Sequence, residues 1–185
     1  MPTIYEALAD DHRQVEVMLD SLLEASKAGD DRWKPILDEI RREVIAHAHA
    51  EEAVFYNALR ALDESKDLVM HGYGEHAKAE AELRALGAAK LVDKTWTSMV
   101  EKLKKDLLHH IEEEEGKIFD AARKVFSDEE AQQIGAAFER MKEETTANDG
   151  DSVMKSTVDL VINLMPPRFA AKLRGLDKAP DSKAA

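Results

Sequence analysis

The chain contains no cysteine. That absence removes disulfides, zinc thiolate sites, iron–sulfur clusters and thiol nucleophiles, so any metal must be held by histidine and carboxylate side chains. It assigns no compartment. Proline and glycine are scarce, five and eight in 185 residues, and aromatic residues make up only 5%. With Ala, Leu, Glu, Lys and Met abundant, this composition favours helices over sheet. No apolar run approaches the length of a membrane span. Residues 1–12 carry Asp and Glu where a signal peptide would need a basic stretch and then an apolar one. Positive charge is outweighed, with a formal net charge of -12. That charge repels phosphate backbones and anionic lipid, and the one basic stretch, Arg168 to Lys178, is short and mixed. No nucleic acid and no membrane are expected as partners, and a soluble cytoplasmic protein is the default expectation.

The length suits one domain with a helical extension, enough to bury a continuous core. Apolar residues recur at helical spacing through Ile4, Leu8, Val15, Leu19 and Leu22, and Gly29 ends this first helix. A second helix is predicted from about Trp33 to Leu62, with Leu37, Ile40, Val44, Phe55 and Ala58 on its seam. A third, capped by Asp63 or Ser65, follows Val69, Tyr73, Leu83 and Leu86 to Gly87, with Gly72 and Gly74 weakening its first turns. A fourth runs from about Asp93 to Phe126 along Trp96, Val100, Leu103, Leu107, Ile118 and Ala122. Short connections imply an all-α, up-down-up-down four-helix bundle over 1–126, with one or two additional C-terminal helices. Met18, Met99, Trp33 and Trp96 read as core.

The extension is predicted over 127–178. Ser127 and Glu130 form a capping-box pattern that opens a shorter helix with Ile134, Phe138 and Met141 on one side. Thr145 to Asp151 reads as a linker and Val153 to Met165 as a last amphipathic stretch before Pro166-Pro167. Residues 179–185 read as a disordered tail. Two roles stay open for the last stretch: a homodimer contact through the C-terminal helices, or a cap folded back on the bundle. The Pro-Pro-Arg-Phe end is a candidate partner contact.

Chemistry concentrates on the four seams. The second helix carries His47 and Glu51 four residues apart on one face, and the fourth repeats the pair as His110 and Glu114. His12 lies between Leu8 and Val15 on the first seam, and His76 between Tyr73 and Leu83 on the third. A lone His-x-x-x-Glu is usually a surface pair, but six inward polar groups without partners would each cost a few kcal/mol, roughly, in a purely structural core. A metal supplies the missing partner. Four imidazoles and two carboxylates are too many for one four-coordinate zinc and suit two six-coordinate ions bridged by the carboxylates. His49 and His109 point away from these seams and are expected to face solvent, and of the run Glu112 to Glu115 only Glu114 falls on the seam.

The Asp11-His12 start, His47 to Phe55, Glu75-His76 and His110 to Phe119 together resemble the hemerythrin HHE cation-binding family over roughly the first two-thirds of the chain. The resemblance implies two iron ions, with Glu51 and Glu114 as bridges, His12, His47, His76 and His110 as terminal ligands, and a bridging oxo or hydroxo group. The same ligands would accept manganese or zinc. Oxygen-carrying members of the family have a further histidine four residues before the one matched by His76, and here that residue is Gly72. His71 beside it would join the site only if the flanking glycines let the helix bulge. Otherwise one ion keeps an extra open position, with Tyr73 nearby.

Two functions follow as expectations. One is a binding protein that carries or senses dioxygen or nitric oxide, or stores iron. The other is an enzyme that decomposes peroxide or reduces nitric oxide at the same centre, favoured by the missing histidine. Carrier and enzyme share ligands, so the sequence leaves the choice open. A third reading, a bundle serving only in protein interaction, is disfavoured by the six inward ligands.

Overall fold

The computed structural model describes residues 1–29, 31–60, 65–89, 92–147 and 162–176, the side chains of 172–176 excepted. Among the described residues every regular element is helical. Helix α1 is Ile4–Ala28, entered through a Thr3–Glu6 capping box and closed by Gly29 in the left-handed region at φ 65. Helix α2 is Trp33–Glu51, continuing through a π-helical turn, Glu52–Tyr56, into Asn57–Arg60. Helix α3 is Lys66–Ala88. Helix α4 is Lys94–Glu113, capped by the Asp93 side chain on the Trp96 amide, and it continues through a second π turn, Glu114–Ile118, into Phe119–Arg123. Helices α5, Asp128–Ala147, and α6, Pro167–Leu176, follow.

The first four helices close a bundle, α1 against α2 and α4, and α3 against α2 and α4. Ion pairs from Lys27 to Glu101 and from Lys104 to Asp20 run in opposite residue order, so α1 and α4 are antiparallel. The apolar core is split in two. One half gathers Leu8, Val54, Phe55, Val69 and Ile118, and the other gathers Val15, Leu19, Val44, Ala79, Leu83 and Leu107. The polar residues of each seam fall between these halves, so the bundle carries one buried polar layer across its middle.

Several expectations shift. Helix α5 has 20 residues, as many as Lys94–Glu113, and lies across α1 and α2. The Ser127–Glu130 box forms at its start. Its end reaches into the predicted linker, because Thr145 is buried and its hydroxyl donates to the Met141 carbonyl. Gly135 permits the close docking: a β-carbon there would lie 2.7 Å from the Pro2 carbonyl oxygen. The Pro-Pro-Arg-Phe segment folds onto its own chain, with Phe169 edge-on to Phe126 and Arg168 paired with Glu130. Trp96 is fully buried, while Met18, Met99 and Trp33 are only partly covered. Ser65 makes no side-chain cap. Leu62, Asp63, the stretch from Val153 to residue 161 and the tail from 179 lie outside the described residues. No described helix is long and apolar enough to cross a membrane.

Candidate metal centre

Six side chains meet in the polar layer. His12, His47 and Glu114 bring one ligand atom each within 4.8 Å of one another, and Glu51, His76 and His110 do the same beside them. All six are buried, Glu51 and Glu114 completely. The two triads are joined by their carboxylates. Glu51 Oε2 lies 3.7 Å from His47 Nε2 and 3.3 Å from His76 Nε2. Glu114 Oε2 lies 3.3 Å from His12 Nε2 and 3.6 Å from His110 Nε2. Each carboxylate therefore stands between one histidine of its own triad and one of the other.

The local backbone explains how α2 and α4 present these groups. Each π turn begins directly after a His-x-x-x-Glu pair or at its glutamate, and π turns of this kind recur at functional sites. On α2 the turn carries Val54, Phe55 and Tyr56, all three buried.

The outer nitrogens follow a cyclic rule. Asp11 on α1 lies 3.1 Å from Nδ1 of His47 on α2, and Glu52 on α2 lies 2.9 Å from Nδ1 of His76 on α3. Glu75 on α3 lies 3.0 Å from Nδ1 of His110 on α4, and Glu115 on α4 lies 2.9 Å from Nδ1 of His12 on α1. A carboxylate only accepts, so each Nδ1 carries a proton, and in the neutral ring Nε2 then directs a lone pair inward. This is the tautomer a metal requires, with the outer carboxylate fixing the ring.

The interior is left short of donors. Both oxygens of Glu51, both of Glu114 and Nε2 of His12 are buried with no hydrogen-bond partner, and His76 Nε2 faces His110 Nε2 at 3.1 Å. Lone pairs opposed in this way are costly unless a cation lies between them. Burial pushes the His47 imidazolium pKa down to about 4, which keeps the ring neutral. Burial, and then the facing Glu114, hold Glu51 well above the usual carboxylate range. At Glu114 burial also pushes upward, but the proton kept on the facing Glu51 and the His12 and His110 rings beside it outweigh burial, and the net shift is down. Without metal, the two carboxylates thus divide into one that keeps a proton and one that does not.

Tyr56 closes one side. Its ring stacks on His76 at 5.4 Å and 2° from parallel, and its hydroxyl is buried without a hydrogen-bond partner. A small cavity of about 30 Å³ is lined by His12, His47, His76 and His110 together with Val15, Val44, Ala48, Ala79, Leu107 and Ile111. A second hollow of about 260 Å³, lined in part by His49, Glu52, Tyr73 and Glu80, shares Val44, Ala48 and His76 with it.

All six predicted ligands are brought together. His71 is not among them: it is 62% exposed and pairs with Glu75 and Glu113, because α3 runs as a regular helix there and does not bulge. His109 is exposed and His49 half-buried. The sequence reading did not assign the outer carboxylates Asp11, Glu52, Glu75 and Glu115, nor Tyr56. Their signal was an acidic residue beside a ligand on each helix.

A helical bundle with a buried, histidine-rich site and two glutamates standing between its triads defines a class of cation-binding domain. The sequence profile of the Hemerythrin HHE cation binding domain matches residues 3–122, well over half the chain, and the protein belongs to that family. The match contains all six inward histidine and glutamate residues and ends before α5. No curated protein and no solved structure matches the chain.

Proposed function

We propose that the chain holds two iron ions, one at each triad, and uses them to bind or sense a small diatomic molecule, dioxygen or nitric oxide, or to handle iron. The observation that carries this reading is the position of Glu51 and Glu114, each between the triads with both oxygens otherwise unpartnered. When bound, the iron pair supplies reversible redox chemistry and the coordination positions that six side chains leave free. The same donors fit manganese or zinc, and iron is preferred because the family profile and the histidine-rich set agree.

The chain's own residues do the rest. The four outer carboxylates hold the imidazoles in one tautomer and one orientation. Val15, Val44, Ala48, Ala79 and Leu107 keep the small cavity apolar and exclude bulk water. A cavity of about 30 Å³ is in keeping with a ligand of a few atoms. The test is metal content per chain on protein purified without added metal, with its visible spectrum before and after azide or nitric oxide. Close to two irons and a ligand-induced spectral change are expected. One zinc or no metal would overturn the reading.

A second reading, peroxide decomposition, is favoured by the outer hollow, whose polar lining of His49, Glu52 and Tyr73 leads to His76. Peroxide turnover by the iron-loaded protein above that of equimolar free iron would support it. Turnover no faster than free iron would remove it.

A further inference from the structure

The four outer carboxylates are not equivalent. Among the described residues, Asp11 is the one of the four with an ammonium or guanidinium group in contact. Lys142 Nζ lies 2.7 Å from Asp11 Oδ1, while Asp11 Oδ2 lies 3.1 Å from His47 Nδ1. The lysine is largely buried and is also held by Glu43 at 3.2 Å. It comes from α5, outside the segment that the family profile matches. The same helix sets Phe138 edge-on against the His47 ring, with centroids 5.6 Å apart and planes at 80°. Among the described residues, no lysine or arginine makes ion-pair contact with Glu52 or Glu75, the acids behind His76 and His110.

We propose that Lys142 is a positioning residue that makes the two ion positions unequal, acting through Asp11 on His47. Resting on the reading of two bound irons, this assigns α5 a role in the centre itself. A carboxylate that accepts from a ligand imidazole increases the electron density the ring offers its metal. An ammonium on the far oxygen draws that density back. The ring becomes a weaker donor, the ferric state at His12, His47 and Glu114 is stabilised less, and the potential of that ion rises above that of its neighbour. The positive charge acts in the same direction through space, because it also disfavours the more highly charged ion.

The test uses the full-length, iron-loaded protein in a spectroelectrochemical titration. Lys142→Met is expected to retain both irons and to shift one of the two one-electron steps towards ferric by roughly tenfold, which is about 59 mV for one electron. Lys142→Arg should restore the wild-type value. Glu43→Gln, which loosens the lysine's other anchor while keeping Asp11, should leave both steps in place. Placed on Asp11→Asn, Lys142→Met should produce a clearly smaller shift, because only the direct action of the charge through space then remains. Unchanged potentials in Lys142→Met, or an equal shift in the Asp11→Asn background, would overturn the proposal. If Lys142→Met does not fold, a wild-type-like potential in Lys142→Arg together with an altered one in Asp11→Asn supports it, and unaltered Asp11→Asn overturns it. Wild-type protein that binds no iron would overturn the underlying reading instead, and metal analysis separates the two failures.

Discussion

The Tyr56 hydroxyl occupies the space that any side chain on Gly72 would need. A β-carbon at residue 72 would lie 2.4 Å from the Tyr56 oxygen and 2.7 Å from its ring. The helical position at which oxygen-carrying relatives place a further histidine is therefore filled here from the neighbouring helix, by a phenol that stacks on His76. Glycine at 72 and tyrosine at 56 are one packing solution.

Gly72→His should accordingly fail to add a ligand. The expected result is a loss of about 1–3 kcal/mol from overpacking, with no gain in iron per chain. Combining it with Tyr56→Ala opens the space, so this double variant should lose less stability than the sum of the two single losses. Denaturant titration of the single and double variants, with metal analysis, decides the matter; full stability in Gly72→His would contradict the clash.

Glu114→Ala should lose at least one ion and lower the melting temperature of the protein as purified, because metal binding is coupled to folding. Metal content per chain is the direct readout. Retention of two ions would mean that Glu114 is not shared between the triads.

Metal uptake should release protons. Glu51 keeps its proton well above its ordinary 4.5 because it is buried and faces Glu114. A group whose folded pKa is raised contributes stability that is full below its unfolded value and is lost as pH rises through the folded one. Metal competes for the same oxygens, so binding should tighten as pH rises and expel that proton. Calorimetric titration of metal into the metal-free protein, in two buffers of different ionisation enthalpy, should give different heats. Glu51→Gln should lose about one proton of that release, and identical heats for the wild type would rule the mechanism out.

His71→Ala should leave both metal content and spectrum unchanged and alter stability by no more than about 0.5 kcal/mol, as expected for an exposed side chain. A change in the visible spectrum would mean that His71 reaches the centre after all.

Phe138→Ala removes a fully buried ring that packs on His47 and should cost about 3–5 kcal/mol. Because α5 lies across α1 and α2, Gly135→Val should also destabilise by driving a side chain into the Pro2–Ile4 backbone. Chemical denaturation of each variant measures the effect. Wild-type stability in both would show α5 to be dispensable.

The bundle and the six inward histidine and glutamate side chains were legible in the amino-acid sequence because both obey the helical repeat. His47 and Glu51, and likewise His110 and Glu114, share a face by spacing alone, and His12 and His76 sit among apolar neighbours of their own seams. The sequence also held the outer acids, each next to a ligand, but adjacency misleads. Neighbouring residues on a helix diverge by about 100°, so Asp11 cannot serve His12 and instead serves His47 on the next helix. Only the packing of four helices determines which carboxylate meets which imidazole.

The same holds for what surrounds the centre. One-dimensional spacing contains no information on where α5 docks, so Lys142, 131 residues from Asp11 along the chain, becomes its partner only through the fold. The vacancy at Gly72 was visible as a missing histidine, whereas its filling by Tyr56 is decided by how the second and third helices pack. Periodicity determines which face of a helix a residue occupies. Distances between faces, and therefore partners, charge balance and the size of the cavity, are set by tertiary packing.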